Sequence, residues 1–325
     1  MQRPLFVMGA ALLLAGPPVA AQQQGPDPQC QGQSASDACQ KALDLFRYMN
    51  TQLGTLIAGG NATLGQGGTL GGLGHVSVGV RANVLQASVP NAKSVDTPGI
   101  GPALSTPYTT SSKYVALPEV DAAIGVFRGF PIGVTYIGGL DALVSAAYLP
   151  SFEQDGVNVS NSVGALRFGF GARVGVLQET VLTPGISVTY LERNLPMTTI
   201  QASASNTASF GVQGLDLRAK SWRVVASKSI IAFGLAVGFG RDYYDANANL
   251  TYNVNGVQPT APIQASESPT RTSMFGDLSF NLIPFIKFVG EVGRVSSGSV
   301  TTYNTFDRNA NDARWYGSVG AHLVF

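Results

Sequence analysis

Charge is the first thing the sequence has little of. Asp, Glu, Lys and Arg make up only 12% of the 325 residues, about half the share in an average soluble domain. Histidine, cysteine and tryptophan each occur twice. The two cysteines, Cys30 and Cys39, have no histidine nearby to complete a tetrahedral zinc site, so no metal or other cofactor is expected. With 20 basic and 19 acidic residues, the chain lacks the positive excess that nucleic-acid binding requires. Past the N-terminus, no run of about 20 apolar residues is available to cross a bilayer as a helix. Yet mean hydropathy is slightly positive. Low charge without a spanning helix leaves a closed β-barrel, the other structure that satisfies every backbone group in hydrocarbon.

What is present begins with export. Arg3 precedes an apolar run from Leu5 to Leu14, a Gly16-Pro17-Pro18 break, and the small residues Val19, Ala20 and Ala21. This is the layout of a secretory signal peptide over 1–21, cleaved after Ala21. Loss of Arg3 leaves 19 charges of each sign. Cys30 is too far downstream of the cut to serve as a lipid anchor. In an oxidising compartment, a Cys30–Cys39 disulfide is expected, with two free thiols the alternative.

Residues 22–72 read as a periplasmic or plug segment. Ser36 can cap a helix, Ala42, Leu45, Phe46, Met49, Leu53 and Leu56 recur at helical spacing, and Gly59-Gly60 ends the run. The helix predicted over 36–58 is expected to pack under or across one end of the barrel, with a place inside the lumen as the alternative. Residues 61–74, rich in Gly, form a passage to the first strand.

From residue 73 the pattern changes to period two. Val76, Val78, Val80, Ala82 and Val84 alternate with His75, Ser77, Gly79, Arg81 and Asn83. Leu166, Phe168, Phe170, Ala172, Val174 and Val176 likewise alternate with Arg167, Gly169, Gly171, Arg173 and Gly175. An apolar face opposed to a charged and glycine-rich one suits a wall with lipid outside and a polar lumen inside. Further strands read near Val120–Phe127, Val134–Tyr148, Ile186–Arg193, Leu215–Lys228, Leu235–Tyr244, Ser273–Leu282, Ile286–Val295 and Arg314–Phe325. Short turns alternate with long polar loops between them, the plan of periplasmic turns and extracellular loops. The expected fold class is therefore all-β: a closed antiparallel up-and-down transmembrane barrel over 73–325, with about ten strands, eight to fourteen remaining open.

The sixth strand breaks the pattern. Strict alternation from Leu215 and Leu217 turns Arg223 outward and Trp222 inward, so a bulge near Ser221 is expected to restore the phase. With that correction, Arg81, Asp141, Arg167, Arg173, Asp216, Arg218, Lys220, Asp277, Lys287 and Glu291 project into the lumen as a candidate constriction. They either pair across strands and fill the interior or form a narrow passage.

The ending Trp315-Tyr316-Gly317-Ser318-Val319-Gly320-Ala321-His322-Leu323-Val324-Phe325 resembles the C-terminal strand of bacterial outer-membrane barrels. In those, Trp315, Leu323 and Phe325 correspond to the apolar positions read by the barrel-assembly machinery. The helix at Ser36 to Ala58 is loosely similar to the N-terminal hatch of outer-membrane fatty-acid transporters, whose larger barrels supply no binding residue to carry over. These resemblances imply a cell outer-membrane location in a Gram-negative type of bacterium, with membrane lipid and lipopolysaccharide as neighbours. Oligomeric state is not legible. No catalytic residue is expected: His75 and His322, on the first and last strands, have no Asp beside them in sequence, and barrel proteases require an Asp-His dyad. Three functions follow, in order: a narrow channel or transporter for small or hydrophobic solutes, a structural or surface-interaction barrel with a packed lumen, and last an enzyme.

Overall fold

The alternating segments become ten antiparallel strands in a computed structural model that describes residues 25–325 apart from 95–98, 165, 206 and 284. The expected signal peptide lies outside the described residues. The strands are β1 (Val76–Pro90), β2 (Thr110–Phe127), β3 (Gly139–Tyr148), β4 (Leu166–Leu177), β5 (Gly185–Asn194), β6 (Ala208–Ile230), β7 (Phe233–Val254), β8 (Thr270–Ile283), β9 (Ile286–Val295) and β10 (Arg314–Val324). Each pairs with its neighbours in sequence. The ring then closes where β1 meets both β2 and β10, with Val80 opposite Val120 on one side and Ala321 on the other. Closure removes the unpaired strand edges that hydrocarbon would not tolerate.

The outer wall is apolar. Val80, Phe170, Val237, Phe239, Leu278, Val292 and Val319 all stand exposed on it. Aromatic residues border this belt: Phe233, Phe280, Phe285 and Phe325 near the short turns, and Tyr148, Trp222, Tyr243 and Trp315 toward the long loops. A band about 25 Å tall between two aromatic girdles is the surface of an outer-membrane-type barrel. Among the described residues no helix is long and apolar enough to cross a membrane, so the strands do the crossing.

Four strands outrun the expectation. β1, β2, β6 and β7 continue past the belt on the long-loop side. There the segments read as loops carry strands of their own, Phe152–Gln154, Val157–Val163, Met197–Ser205 and Ile263–Glu267, which extend the sheet into an extracellular rim. At the other end, the short turn expected between Phe127 and Val134 carries a small hairpin pairing Phe130–Ile132 with Thr135–Ile137, so β3 starts at Gly139 and not at Val134.

The principal helix, α2 (Ser36–Ala58), follows a single short turn, α1 (Pro28–Gln31), to which the Cys30–Cys39 disulfide joins it. Of its 23 residues only Arg47 is not buried. A helix lying across a barrel end would keep a wet face, so this one stands inside the ring. Leu43, Phe46, Leu53, Leu56 and Ile57 share one apolar cluster with Phe210, Leu215, Leu217, Leu250 and Tyr252 of β6 and β7. The Ser36 end meets the extracellular loops, where the Asp37 amide donates to the Gly101 carbonyl. Residues 59–74 descend from the other end toward the start of β1.

Candidate functional site

The site that these elements build is a seat for the N-terminal segment. At the end of α2 the last carbonyls have no partner within the helix and carry the negative end of its dipole. Three arginines of the wall meet them. Arg193 of β5 donates to the carbonyl oxygens of Ile57, Ala58, Gly59 and Gly60 at 3.1–3.3 Å. Arg81 of β1 donates to Gly59 at 2.9 Å, and Arg223 of β6 to Ala58. Asn83 adds bonds to Leu56 and Gly59. Buried carboxylates compensate these cations: Arg81 pairs with Glu119 and Asp121, Arg193 lies 3.5 Å from Glu119, and Arg223 lies 3.8 Å from Asp242. Buried charge arranged this way is costly to break from either side.

Below the helix, the wall holds the descending chain by its backbone. Asp277 accepts from the Gly65 amide at 2.9 Å, Ser227 from Gly67 at 2.8 Å, and Asp141 from Leu70 at 3.1 Å. Glu291 accepts from Asn61 at 3.3 Å. Arg173 is fixed by Asp141 at 2.7 Å and donates to the Thr63 hydroxyl. Lys287 lines a crevice of about 150 Å³ at the periplasmic mouth, with Gly65, Thr69, Gln178 and Glu179.

Above, the extracellular loops close on the helix. Asp37 binds Lys41 at 2.6 Å and accepts from the amides of Gly99 and Leu104. Asp44 accepts from the Tyr303 and Asn304 amides, the Asn304 side chain and Gln40. Phe306 stacks between Tyr48 and Tyr108, with ring centres 4.3 and 5.1 Å away. Asp44 lies outside the spanning strands, and burial pushes its carboxyl up to about 6 against the hydrogen bonds it accepts.

Of the ten charges expected in the lumen, Arg81, Asp141, Arg173, Asp277 and Glu291 touch the N-terminal segment, Lys287 is beside it, and Arg167 lies on the inward side nearer the rim. Asp216, Arg218 and Lys220 correct the expectation. They stand on the outer face of the rim, where Arg218 pairs with Glu192 at 3.3 Å and Lys220 with Asp245 at 3.7 Å. β6 has no bulge at Ser221: its register with β7 runs unbroken from Asp216 to Ile230, and the shift falls at Gly214, between Gln213 and Asp216. Leu215 and Leu217 face inward because the upper lumen is filled by the apolar side of α2. Arg193, Arg223 and Asp242 also face inward and are absent from the expected lumen charges. Alternation one step on from the outward Glu192, Trp222 and Arg241 finds all three.

The histidines do not meet. His322 is buried opposite Gly79, whereas His75 precedes β1 by a residue and is exposed. Among the described residues no three His, Cys, Asp or Glu side chains are placed to hold a metal. At the C-terminus Trp315, Leu323 and Phe325 are exposed on the outer wall.

No protein-family model matches the chain, and no curated protein matches it by sequence. Solved structures similar to it include the outer membrane protease OmpT from Escherichia coli, at 12% identity and TM-score 0.41, over 77% of this chain and 96% of that one. Another is the toluene transporter TodX of Pseudomonas putida, at 11% identity and TM-score 0.35, over 77% and 88%. A third is the translocator domain of the autotransporter NalP from Neisseria meningitidis, at 8% and 0.39, over 77% and 87%. Likeness at this level assigns no activity. The closed ring, its apolar belt and its charged interior make this chain an outer-membrane β-barrel.

Proposed function

We propose that this barrel is sealed along its axis by its own N-terminal segment and acts through its rigid extracellular surface, as a structural or surface-interaction protein. The supporting observation is the burial of α2. Seven large apolar side chains, Leu43, Leu45, Phe46, Met49, Leu53, Leu56 and Ile57, are at most 3% exposed. At about 1.5–3 kcal/mol each, their withdrawal into water costs on the order of 10–20 kcal/mol before any buried ion pair is broken. That exceeds what a diffusing small solute supplies. Ten strands also enclose little more than side chains fill, whereas open aqueous porins use about 16 or more.

A second reading, a narrow channel, is favoured by one feature. Inward oxygens of Tyr244, Asp242, Ser273, Tyr316, Glu291, Asp277 and Ser279 have no hydrogen-bond partner among the described residues and succeed one another along β7 to β10. Such groups call for hydration and outline a narrow polar path for small ions beside the helix.

Single-channel recording of the refolded mature chain separates the two. Under the first reading, protein folded by heat-modifiable gel mobility gives no current steps. Stable steps from the intact chain sink it in favour of the channel. For the C-terminus, the same proposal assigns Trp315, Leu323 and Phe325 to recognition by the assembly machinery. Removal of Phe325 is expected to lower the inserted fraction in cells without changing refolding in detergent.

A further inference from the structure

We propose that the extracellular edge of the belt carries a binding site for the phosphorylated headgroup of an outer-leaflet lipid, built on Arg241, Arg294 and Trp315. Both arginines are exposed on the outer wall at the step where its apolar run ends: Arg241 follows Phe239 on β7, and Arg294 follows Val292 on β9. A guanidinium facing bare hydrocarbon is expensive, and near the interface it costs little. At that depth the groups it meets are lipid headgroups.

Neither arginine is in an ion pair among the described residues. Each instead lies over an aromatic ring of the upper girdle, Arg294 at 5.8 Å from the Trp315 ring centre and Arg241 at 5.5 Å from that of Tyr243. Stacking of this kind limits the guanidinium's freedom while leaving its N–H edge open. Two carboxylates of the extracellular rim are engaged elsewhere, Asp245 with Lys220 and Ser268, and Asp307 with Thr110.

The register sets the spacing. Arg241 lies opposite Trp222 and Thr272, while Arg294 lies opposite Met274 and Trp315. One strand therefore separates the two arginines, with an offset of two residues along it, placing them about 12 Å apart on the wall. Beyond Trp315, a groove of about 380 Å³ opens between Gln86, Tyr114 and Trp315 and is lined by a third exposed cation, Arg308. Two forks separated by one strand, with a tryptophan beside the second and an apolar wall below, match a lipid with phosphates at both ends of a disaccharide headgroup and acyl chains below, which is the chemistry of lipid A. Arginine's planar fork is suited to two-point recognition of phosphate. This site belongs to the outer wall and stands whether or not the lumen conducts.

The test is native mass spectrometry of the mature chain released from a non-ionic detergent and titrated with bisphosphorylated lipid A. Wild type is expected to retain lipid A, and the double variant Arg241→Gln/Arg294→Gln to retain it at least tenfold more weakly. Arg218→Gln, which removes an outward arginine paired with Glu192 above the belt, should bind as wild type. Lipid A stripped of both phosphates should bind wild type no better than the double variant binds the intact lipid. Equal retention by the double variant, or full retention of the phosphate-free lipid, overturns the proposal. Displacement by millimolar inorganic phosphate alone would also overturn it, by showing a free-anion site. Heat-modifiable mobility verifies that each variant is folded.

Discussion

Arg193 donates to the Gly60 carbonyl oxygen through both terminal nitrogens of its guanidinium, each at 3.1 Å. One side chain of the wall thereby closes the end of a helix distant in sequence, and its remaining charge is balanced by Glu119. Truncation strips the helix carbonyls of donors and leaves Glu119 with less compensation. Arg193→Ala is expected to destabilise the folded barrel by roughly 3 kcal/mol, as for removal of one partner of a buried pair. The readout is the thermal midpoint of the heat-modifiable gel band. Arg193→Lys, which keeps charge but not the fork, should recover only part of the loss. An unchanged midpoint in the alanine variant would mean that the seat does not hold the helix.

Gly60 tests the same seat from the helix side. Its φ is +68°, and a Cβ there would lie 2.2 Å from Nη1 of Arg81, a side chain held by Glu119 and Asp121. Gly214 has nearly the same φ, +65°, but open space around it. Both substitutions to alanine incur about 1–2 kcal/mol of backbone strain, and only Gly60→Ala must also displace a buried ion pair. Gly60→Ala is expected to lower the thermal midpoint well beyond Gly214→Ala. Equal shifts would show that Arg81 yields freely.

How far the sequence could be read depends on what lay on each side of the wall. Where lipid meets one face and polar groups the other, as on β4 and β9, alternation was sufficient, and Ile286–Val295 is the same in sequence and structure. β6 misled because its upper half has no lipid. Leu215 and Leu217 are apolar to meet α2, while Asp216, Arg218 and Lys220 face water. Binary patterning records that a face is buried, and it does not say whether lipid or a protein core buries it. The place of α2 was open for a related reason: its all-round burial depends on partners that are remote in the chain.

The corrected register of β6 makes a labelling prediction. In wild type both cysteines are in the disulfide, so an introduced cysteine is the reporter. On intact cells Arg218→Cys should react quickly with a membrane-impermeant maleimide, because position 218 faces outward on the extracellular rim. Leu217→Cys, one residue away and fully buried against the helix cluster, should react only after denaturation. The reverse order would restore the inward assignment of Arg218 and the bulge at Ser221.

Asp44 predicts how pH acts on the extracellular lid. Its carboxyl is raised to about 6 by burial where it receives the Tyr303 and Asn304 amides, and detachment of that loop, by letting water in, moves it back toward its ordinary value of 3.8. The closed lid therefore binds more protons than the open one between these values. Closure is favoured most below the lower value, weakens as pH rises through about 6, and is then constant. Amide hydrogen exchange at Tyr303 and Asn304, corrected for intrinsic rates, should show protection falling by up to about a hundredfold over that window, two pKa units' worth. Asp44→Asn should remove the slope. Protection that grows with pH in wild type would mean that the ionised carboxylate is the form the loop prefers, and that its four hydrogen bonds outweigh its burial.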